Sequence, residues 1–230
     1  MTAPVQQHPR TPQNGALTAV CVVHAIIPNP GETPDVTAID KRPRADRLEV
    51  GPLGFTLDTQ VDAKHHGGQE QALYAYADED AAWWAGELGR EITPGLFGEN
   101  LRTSAVDVTR AEIGERWQVG DVLVEVTAPR TPCMTFQKRM AEPHWIKRFT
   151  LAGRPGAYLR VRTPGALGAG DPVRVVHRPG HGVTVAHLLA GHVEAYLALL
   201  DAEAAEIITL GPKVGGHARR RTARVRTDPA

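Results

Sequence analysis

The chain has 230 residues, the size of one large domain or of one domain with a small appendage. Apolar residues make up 42% and charged residues 23%, so a hydrophobic core can form and global disorder is excluded. Lysine plus arginine equal aspartate plus glutamate at 26 each, and this zero net charge argues against general binding to nucleic acid or to a membrane surface.

Cysteine usage and hydropathy indicate the compartment. The two cysteines, Cys21 and Cys133, do not form a disulfide framework, which favours a reducing environment. The first residues lack the apolar core of a signal peptide, and no apolar run approaches the roughly 20 residues of a membrane span. We therefore expect a cytoplasmic protein without a membrane segment.

Short β-type segments dominate the chain after a flexible leader predicted at residues 1–15. "LTAVCVVHAII", from Leu17, reads as a strand, and "TAIDKRP" and "RLEVGPLGFTLDTQ" read as shorter extended pieces. Two later stretches, "VDVTRAEIGERWQVGDVLVEVTAPR" and "GAYLRVRTPGALGAGDPVRVVHRP", read as series of strands broken at glycines. Many short strands with few helices predict a closed or folded-over β-sheet over residues 16–180.

Two helical regions accompany these strands. "EQALYAYADEDAAWWAGELGR" has apolar residues at helical spacing and predicts one long helix. Thr184 can cap a helix that begins near Val185, and we predict a helical extension over residues 181–210. The arginine-rich stretch 211–230 has no core-forming residues, so it is predicted to be a basic, disordered tail.

Two polar clusters precede the strands of the second half. Gly67 and Gly68 of "HHGG" stand before the predicted long helix, where backbone N–H groups can approach an acceptor-rich ligand. In "PGLFGENL", Glu99 and Asn100 offer hydrogen-bonding groups to a flat heterocycle, or a group for proton transfer. The alternative for each is a plain turn whose polar groups cap the backbone.

Cys133 stands in "TAPRTPC", a stiff and basic turn. Arg130 lies three residues earlier and can lower the pKa of the thiol, which a nucleophile or a metal ligand requires. Pro129 and Pro132 restrict the turn. The alternative is an inert buried cysteine, which Cys21 fits better because it lies within an apolar strand. A zinc site or a Cys–His hydrolase lacks the ligand spacing or signature that would support it.

A basic segment, "IDKRPRADR", completes the set of polar clusters. Lys41 and Arg42 in this segment can hold a phosphate group. The alternative is a solvated charged face.

In this order the segments resemble one family. "LDTQVDAKHHGGQEQALYAY", "FGENL", "IGERWQVGDVLVEVTAPRTPC", "GRPGAYLRV" and "AGDPV" are similar to the MOSC domain, the C-terminal domain of molybdenum cofactor sulfurases. The likeness covers about residues 17 to 210 and is to the stand-alone bacterial branch with a helical extension. It implies a mainly β, barrel-like fold with a small helical appendage.

The resemblance implies a site for the molybdenum cofactor. Cys133 matches the cysteine taken to bind molybdenum, which suits a soft thiolate. The other matching polar positions are Asp62, His66, Glu99, Asn100 and Arg130, and Lys41 and Arg42 are the expected phosphate contacts. Leu57 departs from the family's usual glycine, so this turn must avoid positive φ and the role of Asp58 is in doubt. Pyridoxal phosphate binding is a further family property that the resemblance admits.

Related proteins reduce N-hydroxylated compounds, including hydroxylamino-purines, so the resemblance implies an oxidoreductase. Asp62, His66 and Glu99 are the candidate proton donors beside Cys133. No flavin, nicotinamide or iron–sulfur motif is present in the sequence, so electrons are expected from a separate reductase. A homodimer is also expected. The alternatives are a non-catalytic carrier of the cofactor or of sulfane sulfur on Cys133, and a structural protein with a decayed site.

Overall fold

The computed structural model describes residues 14–61 and 67–223, and these contain eleven strands and six helices. The strands are β1 (Asn14–Pro28), β2 (Val36–Arg44), β3 (Leu48–Gly51), β4 (Gly54–Phe55), β5 (Leu73–Ala77), β6 (Leu101–Ser104), β7 (Arg116–Val119), β8 (Val122–Pro129), β9 (Ala157–Thr163), β10 (Gly165–Leu167) and β11 (Pro172–His177). The helices are α1 (Asp78–Leu88), α2 (Met134–Met140), α3 (Trp145–Ala152), α4 (Val185–Ala190), α5 (Val193–Ala204) and α6 (Pro212–Thr222).

Seven strands close into a barrel in the order β11-β7-β8-β9-β5-β6-β1, because β11 also pairs with β1. β5 and β6 run parallel, and the other neighbours in the barrel are antiparallel. The long strand β1 leaves the barrel near Val20, and its second half pairs with β2. β10, β3 and β4 form a small separate sheet. The predicted mainly β, barrel-like fold is confirmed.

β5 is buried on both faces, and this corrects the predicted long helix. Leu73, Ala75 and Ala77 face the barrel core, whereas Tyr74 and Tyr76 join an aromatic cluster outside it. A strand covered on both faces is apolar throughout, so its sequence cannot be told from a helical face by periodicity. The helix begins only at Asp78.

The aromatic cluster fixes the segment that follows Cys133. Helices α2 and α3, which the sequence did not predict, contribute Phe136, Trp145 and Phe149 to it. Phe97 packs edge-on against Phe136 with ring centroids 5.3 Å apart. Large rings in such contacts are stabilising beyond the area they bury, so the cluster holds α2 firmly against the outside of the barrel.

The C-terminal helices pack on the barrel. Thr184 caps α4 as predicted, and its hydroxyl accepts a hydrogen bond from the His187 N–H. The structure differs from the predicted disordered tail, because Pro212–Thr222 forms α6. Gly215 and Ala218 of α6 are buried, and small side chains at helical spacing allow its close approach. In the part of the chain that is described, no helix is long and apolar enough to cross a membrane.

Candidate functional site

A cavity of about 370 Å³ lies between β2, the residues around Asp58 and the segment that carries Cys133. Of the residues that the sequence singled out, it brings together Lys41, Asn100, Arg130 and Cys133. These come from three separate parts of the chain. Its volume lies within the roughly 300 to 1,000 Å³ of small-molecule sites.

Cys133 is placed at this cavity by the end of β8 and the start of α2. The chain leaves β8 at Pro129, and Cys133 adopts extended φ and ψ of −128° and 174° immediately before α2. Its side chain is partly exposed and lines the cavity. Cys21 differs, because it is fully buried in β1 and burial raises the pKa of its thiol to about 12. The structure therefore presents only one of the two thiols to the cavity.

Arg130 is a buried cation on the wall of the cavity. Its guanidinium lies 4.0 Å from the ring centroid of Phe136 and 5.4 Å from that of Tyr74. Its Nε has no hydrogen-bond partner, and no carboxylate of the described residues pairs with it. Burial lowers the pKa of Arg130, but Tyr158, Tyr74 and Cys133 outweigh it and the pKa is raised. The side chain is thus a desolvated charge with capacity for an anionic ligand.

Asp58 connects β1, β2 and Asn100 by hydrogen bonds beside the cavity. Its Oδ1 accepts a hydrogen bond from the Val23 N–H at 2.9 Å, and its Oδ2 accepts from Asn100 Nδ2 at 2.7 Å and from Lys41 Nζ. Leu57 has no positive φ, as its departure from glycine predicted. Asp58 therefore acts as a structural link, and it neutralises much of the charge with which Lys41 was expected to contact phosphate.

Glu99 does not line the cavity. It is fully buried, and its carboxylate accepts hydrogen bonds from the N–H groups of Gly95 and Phe97 at 2.8 and 3.0 Å. The Arg102 guanidinium pairs with the same carboxylate, and its Nε donates to Glu99 Oε1 at 2.9 Å. These bonds shape the loop before β6, so the geometry gives Glu99 a structural role and leaves it without access to a substrate.

Three other predicted residues also lie away from the cavity wall. Side chains alternate along a strand, so Arg42 points opposite to Lys41, and 58% of its side chain is exposed. Neither Gly67 nor Gly68 lines the cavity, and the Gly68 N–H donates to Gln60 Oε1 at 2.9 Å. A 3-10 turn and then β5 follow Gly68, so the long-helix N-terminus expected there is absent.

Asp62 and His66 lie outside the residues that the structure describes. Val61, the last residue before that gap, lines the cavity. The roles of Asp62 and His66 stay predictions.

Tyr158 is a cavity residue that sequence reasoning missed. It is buried on the cavity wall, and burial raises the pKa of its phenol while Arg130 opposes the rise. It lies in "GRPGAYLRV", so the signal was present, but nothing in that segment showed which face of β9 meets the cavity. Tyr74, Thr135 and Asn29 line the cavity as well.

Comparison with known proteins identifies the family. The sequence profile of the MOSC domain matches residues 62–174, a segment that includes Asn100, Arg130 and Cys133. The chain belongs to the MOSC domain family. MOSC domains are associated in general with the molybdenum cofactor, whereas nothing in the comparisons supports pyridoxal phosphate.

Two bacterial relatives match comparable lengths of this MOSC protein. YflK of Bacillus subtilis is 28% identical over 149 residues, which are 65% of this chain and 67% of YflK. YiiM of Escherichia coli is 30% identical over 146 residues, 62% of this chain and 65% of YiiM. A Gibberella moniliformis protein named reductase is 35% identical over 161 residues, 59% of this chain but only 29% of that protein.

Solved MOSC structures share the fold. YiiM from Geobacillus stearothermophilus superposes with a TM-score of 0.71 at 23% identity, covering 90% of this chain and 98% of that one. YiiM from Escherichia coli gives a TM-score of 0.68 at 20% identity, covering 96% of each chain. At these identities the likeness concerns the fold alone.

Proposed function

We propose that this MOSC protein binds the molybdenum cofactor in the cavity described above and reduces N-hydroxylated compounds. The observation that carries the proposal is the buried Arg130, whose Nε has no partner and whose guanidinium has no carboxylate among the described residues. It stands on the same cavity wall as the thiol of Cys133. A desolvated cation beside a soft ligand atom suits an anionic group that contains a metal ion and sulfur atoms.

Cys133 would hold the metal and Arg130 would hold an anionic part of the cofactor. Among the described residues no cluster of three or more histidine, cysteine or carboxylate side chains is placed to bind a metal. In this proposal a metal at Cys133 would take further ligands from the sulfur atoms of the cofactor. Asn100 and Tyr158 line the same cavity and provide hydrogen-bonding groups for a pterin ring.

The proposed reaction converts R–NH–OH, two electrons and two protons into R–NH₂ and water. When bound, the molybdenum cofactor supplies the two-electron chemistry that breaks the N–O bond. The electrons come from a separate reductase, and the Gibberella relative that carries the name reductase supports the redox class. The candidate proton donors are Asp62 and His66, since the carboxylate of Glu99 is enclosed by its own loop.

The test is metal and pterin analysis of protein produced in cells that make the cofactor. We expect Cys133→Ser to lose most of its molybdenum, since a hydroxyl is a poor substitute for a soft thiolate. Cys21→Ala is the matched control, because Cys21 is buried in β1 and should not affect metal content. Full metal content in Cys133→Ser would show that the thiol is not the ligand.

A second candidate is a carrier of the cofactor or of sulfane sulfur. The partial exposure of Cys133 favours it, because a transferable group must be reached by an acceptor protein. In that case Cys133 would take sulfane sulfur from a donor persulfide, which leaves as a thiolate, and the outer sulfur of the Cys133 persulfide would pass to a partner's thiolate with release of the Cys133 thiolate, without turnover of substrate. Catalytic reduction of an N–OH compound by the loaded protein with an electron donor would exclude carriage as the sole function.

A further inference from the structure

A second cavity, of about 280 Å³, lies between the barrel and the C-terminal helices. Ala128 and Pro129 at the end of β8 form one wall. Leu188 of α4, Tyr196 of α5 and Val214 of α6 form the other. The lining is thus mainly apolar, as is usual for sites that bind small organic molecules.

The second cavity adjoins the first and shares part of its lining. Tyr158 and Gln71 line both cavities. The segment after β8 separates them, because Pro129 and Thr131 line the second whereas Arg130 and Cys133 line the first. Pro129, Arg130 and Thr131 thus alternate between the two cavities, as residues of an extended segment do, and Cys133, two residues after Thr131, lines the first cavity again.

The chemistry of the second cavity fits a planar aromatic ring. Tyr158 and Tyr196 supply buried aromatic side chains, and rings pack favourably against rings. Lys213 and His217 stand at the rim as hydrogen-bonding groups, and Lys213 Nζ donates to Gln71 Oε1 at 2.8 Å. Among the described lining residues there is no aspartate or glutamate, so nothing favours a cationic ligand.

We propose that the second cavity is a separate binding site for a planar aromatic ligand, a neutral or anionic heterocycle, whose ring packs against Tyr158 and Tyr196. This site goes beyond the function proposed above, because the segment after β8 separates it from Cys133. It gives the C-terminal helices a role in ligand binding, because α4, α5 and α6 supply one side of the cavity.

The test uses adenine as a neutral purine probe, titrated into the full chain and followed by calorimetry. Val214→Trp fills the cavity from α6, and Thr131→Trp covers its mouth from an exposed position that does not disturb the core. Val176→Trp is the control, since Val176 is 55% exposed on β11 and lines neither cavity. We expect both cavity variants to weaken adenine binding by about ten-fold or more and the control to match the wild type.

The outcomes are distinct from those of the cofactor test. Unchanged adenine binding in Thr131→Trp, or no binding by the wild type, overturns the proposal. Loss of binding in Arg130→Met but not in Val214→Trp would place the ring in the first cavity and also overturn it. The molybdenum content of Thr131→Trp is measured in parallel and should equal that of the wild type. Adenine binding that depends on Thr131 in protein without molybdenum would leave the second-cavity site in place, whatever the outcome of the cofactor test.

Discussion

Cys21 lies within a strand and Cys133 follows one, but the environments of the two thiols differ. Cys21 is enclosed in β1, and its pKa is raised to about 12 chiefly by burial, with Glu99 adding to the rise. Cys133 is held at the cavity by Pro132 and the start of α2. Reactivity toward alkylating agents depends on exposure and on the fraction of thiolate, so the two residues should behave differently.

We predict that iodoacetamide at pH 8 modifies Cys133 and leaves Cys21 unmodified in the native, cofactor-free protein. Cys21 remains a protonated thiol at this pH and is shielded from the reagent. Peptide mass spectrometry locates the label. In guanidinium chloride both residues should react, which serves as the control. Equal labelling of the two cysteines under native conditions would contradict the burial of Cys21.

Removal of either of two buried arginines, Arg102 and Arg130, should lower the free energy of unfolding, but by different amounts. Arg102 pairs with the buried Glu99, so Arg102→Met leaves a carboxylate without its cation and should cost about 3–5 kcal/mol of unfolding free energy. Arg130→Met leaves no carboxylate of the described residues unpaired, and the loss of its contact with the Phe136 ring and of its hydrogen bond with Tyr158 should cost less than about 2 kcal/mol. Urea unfolding of the cofactor-free variants gives both values. The reverse order would show that the contacts of Arg130 with Phe136 and Tyr158 stabilise the fold more than the Arg102–Glu99 pair does.

At the scale of elements, Gly95 allows the loop before β6 to pack closely against the backbone of β2. Gly95 has φ of 86°, and a Cβ there would stand 2.3 Å from the carbonyl oxygen of Lys41. Such contact is impossible without moving the backbone of β2, which forms one side of the cavity. The backbone conformation and the close approach both require glycine.

We predict that Gly95→Ala destabilises the protein more than Gly170→Ala does. Both glycines have positive φ, 86° and 91°, so both variants carry the strain of about 1–3 kcal/mol for a left-handed residue. Only Gly95 also has a backbone atom in the way, since nothing lies within 4 Å of a Cβ at Gly170. Chemical denaturation compares the two, and equal losses would mean that the loop and β2 separate easily.

For the whole molecule, one hydrophobic core joins the barrel to the C-terminal helices. Leu17 and Trp117 of the barrel belong to the same buried cluster as Leu199 of α5 and Ala218 of α6. The division at residue 180 into a barrel and a helical extension stays a prediction, as do the homodimer and the electron-donating partner. A shared core favours unfolding of the described parts as one unit.

We predict that the free energy of unfolding falls as pH rises above about 9. Burial raises the pKa of Cys21 from 9.0 to about 12, and it is also the main cause that raises those of Tyr74, Tyr76 and Tyr158 above 10.0. These groups keep their protons when folded but lose them when unfolded. The stability they contribute is therefore complete at neutral pH and is lost as pH rises toward the folded-state values.

Each such group contributes a slope of at most about 1.4 kcal/mol per pH unit within its window. Urea unfolding at several pH values between 8 and 11 measures the sum of these slopes. Cys21→Ala should remove the contribution of one proton and so flatten the curve above pH 9. An identical curve for wild type and variant would mean that Cys21 ionises freely in the folded protein.

The sequence by itself determined the family, the β-rich architecture, the cap at Thr184 and the contrast between Cys133 and Cys21, because these depend on local patterns and on motif order. It failed at β5, where burial on two faces hides the alternation. Only the tertiary structure decided which polar residues meet: Glu99 turns into its own loop, Arg42 faces away, and Tyr158 joins Cys133 at a cavity. The physical reason is that strand pairing and loop closure across the barrel, which no local pattern encodes, set the direction of each side chain.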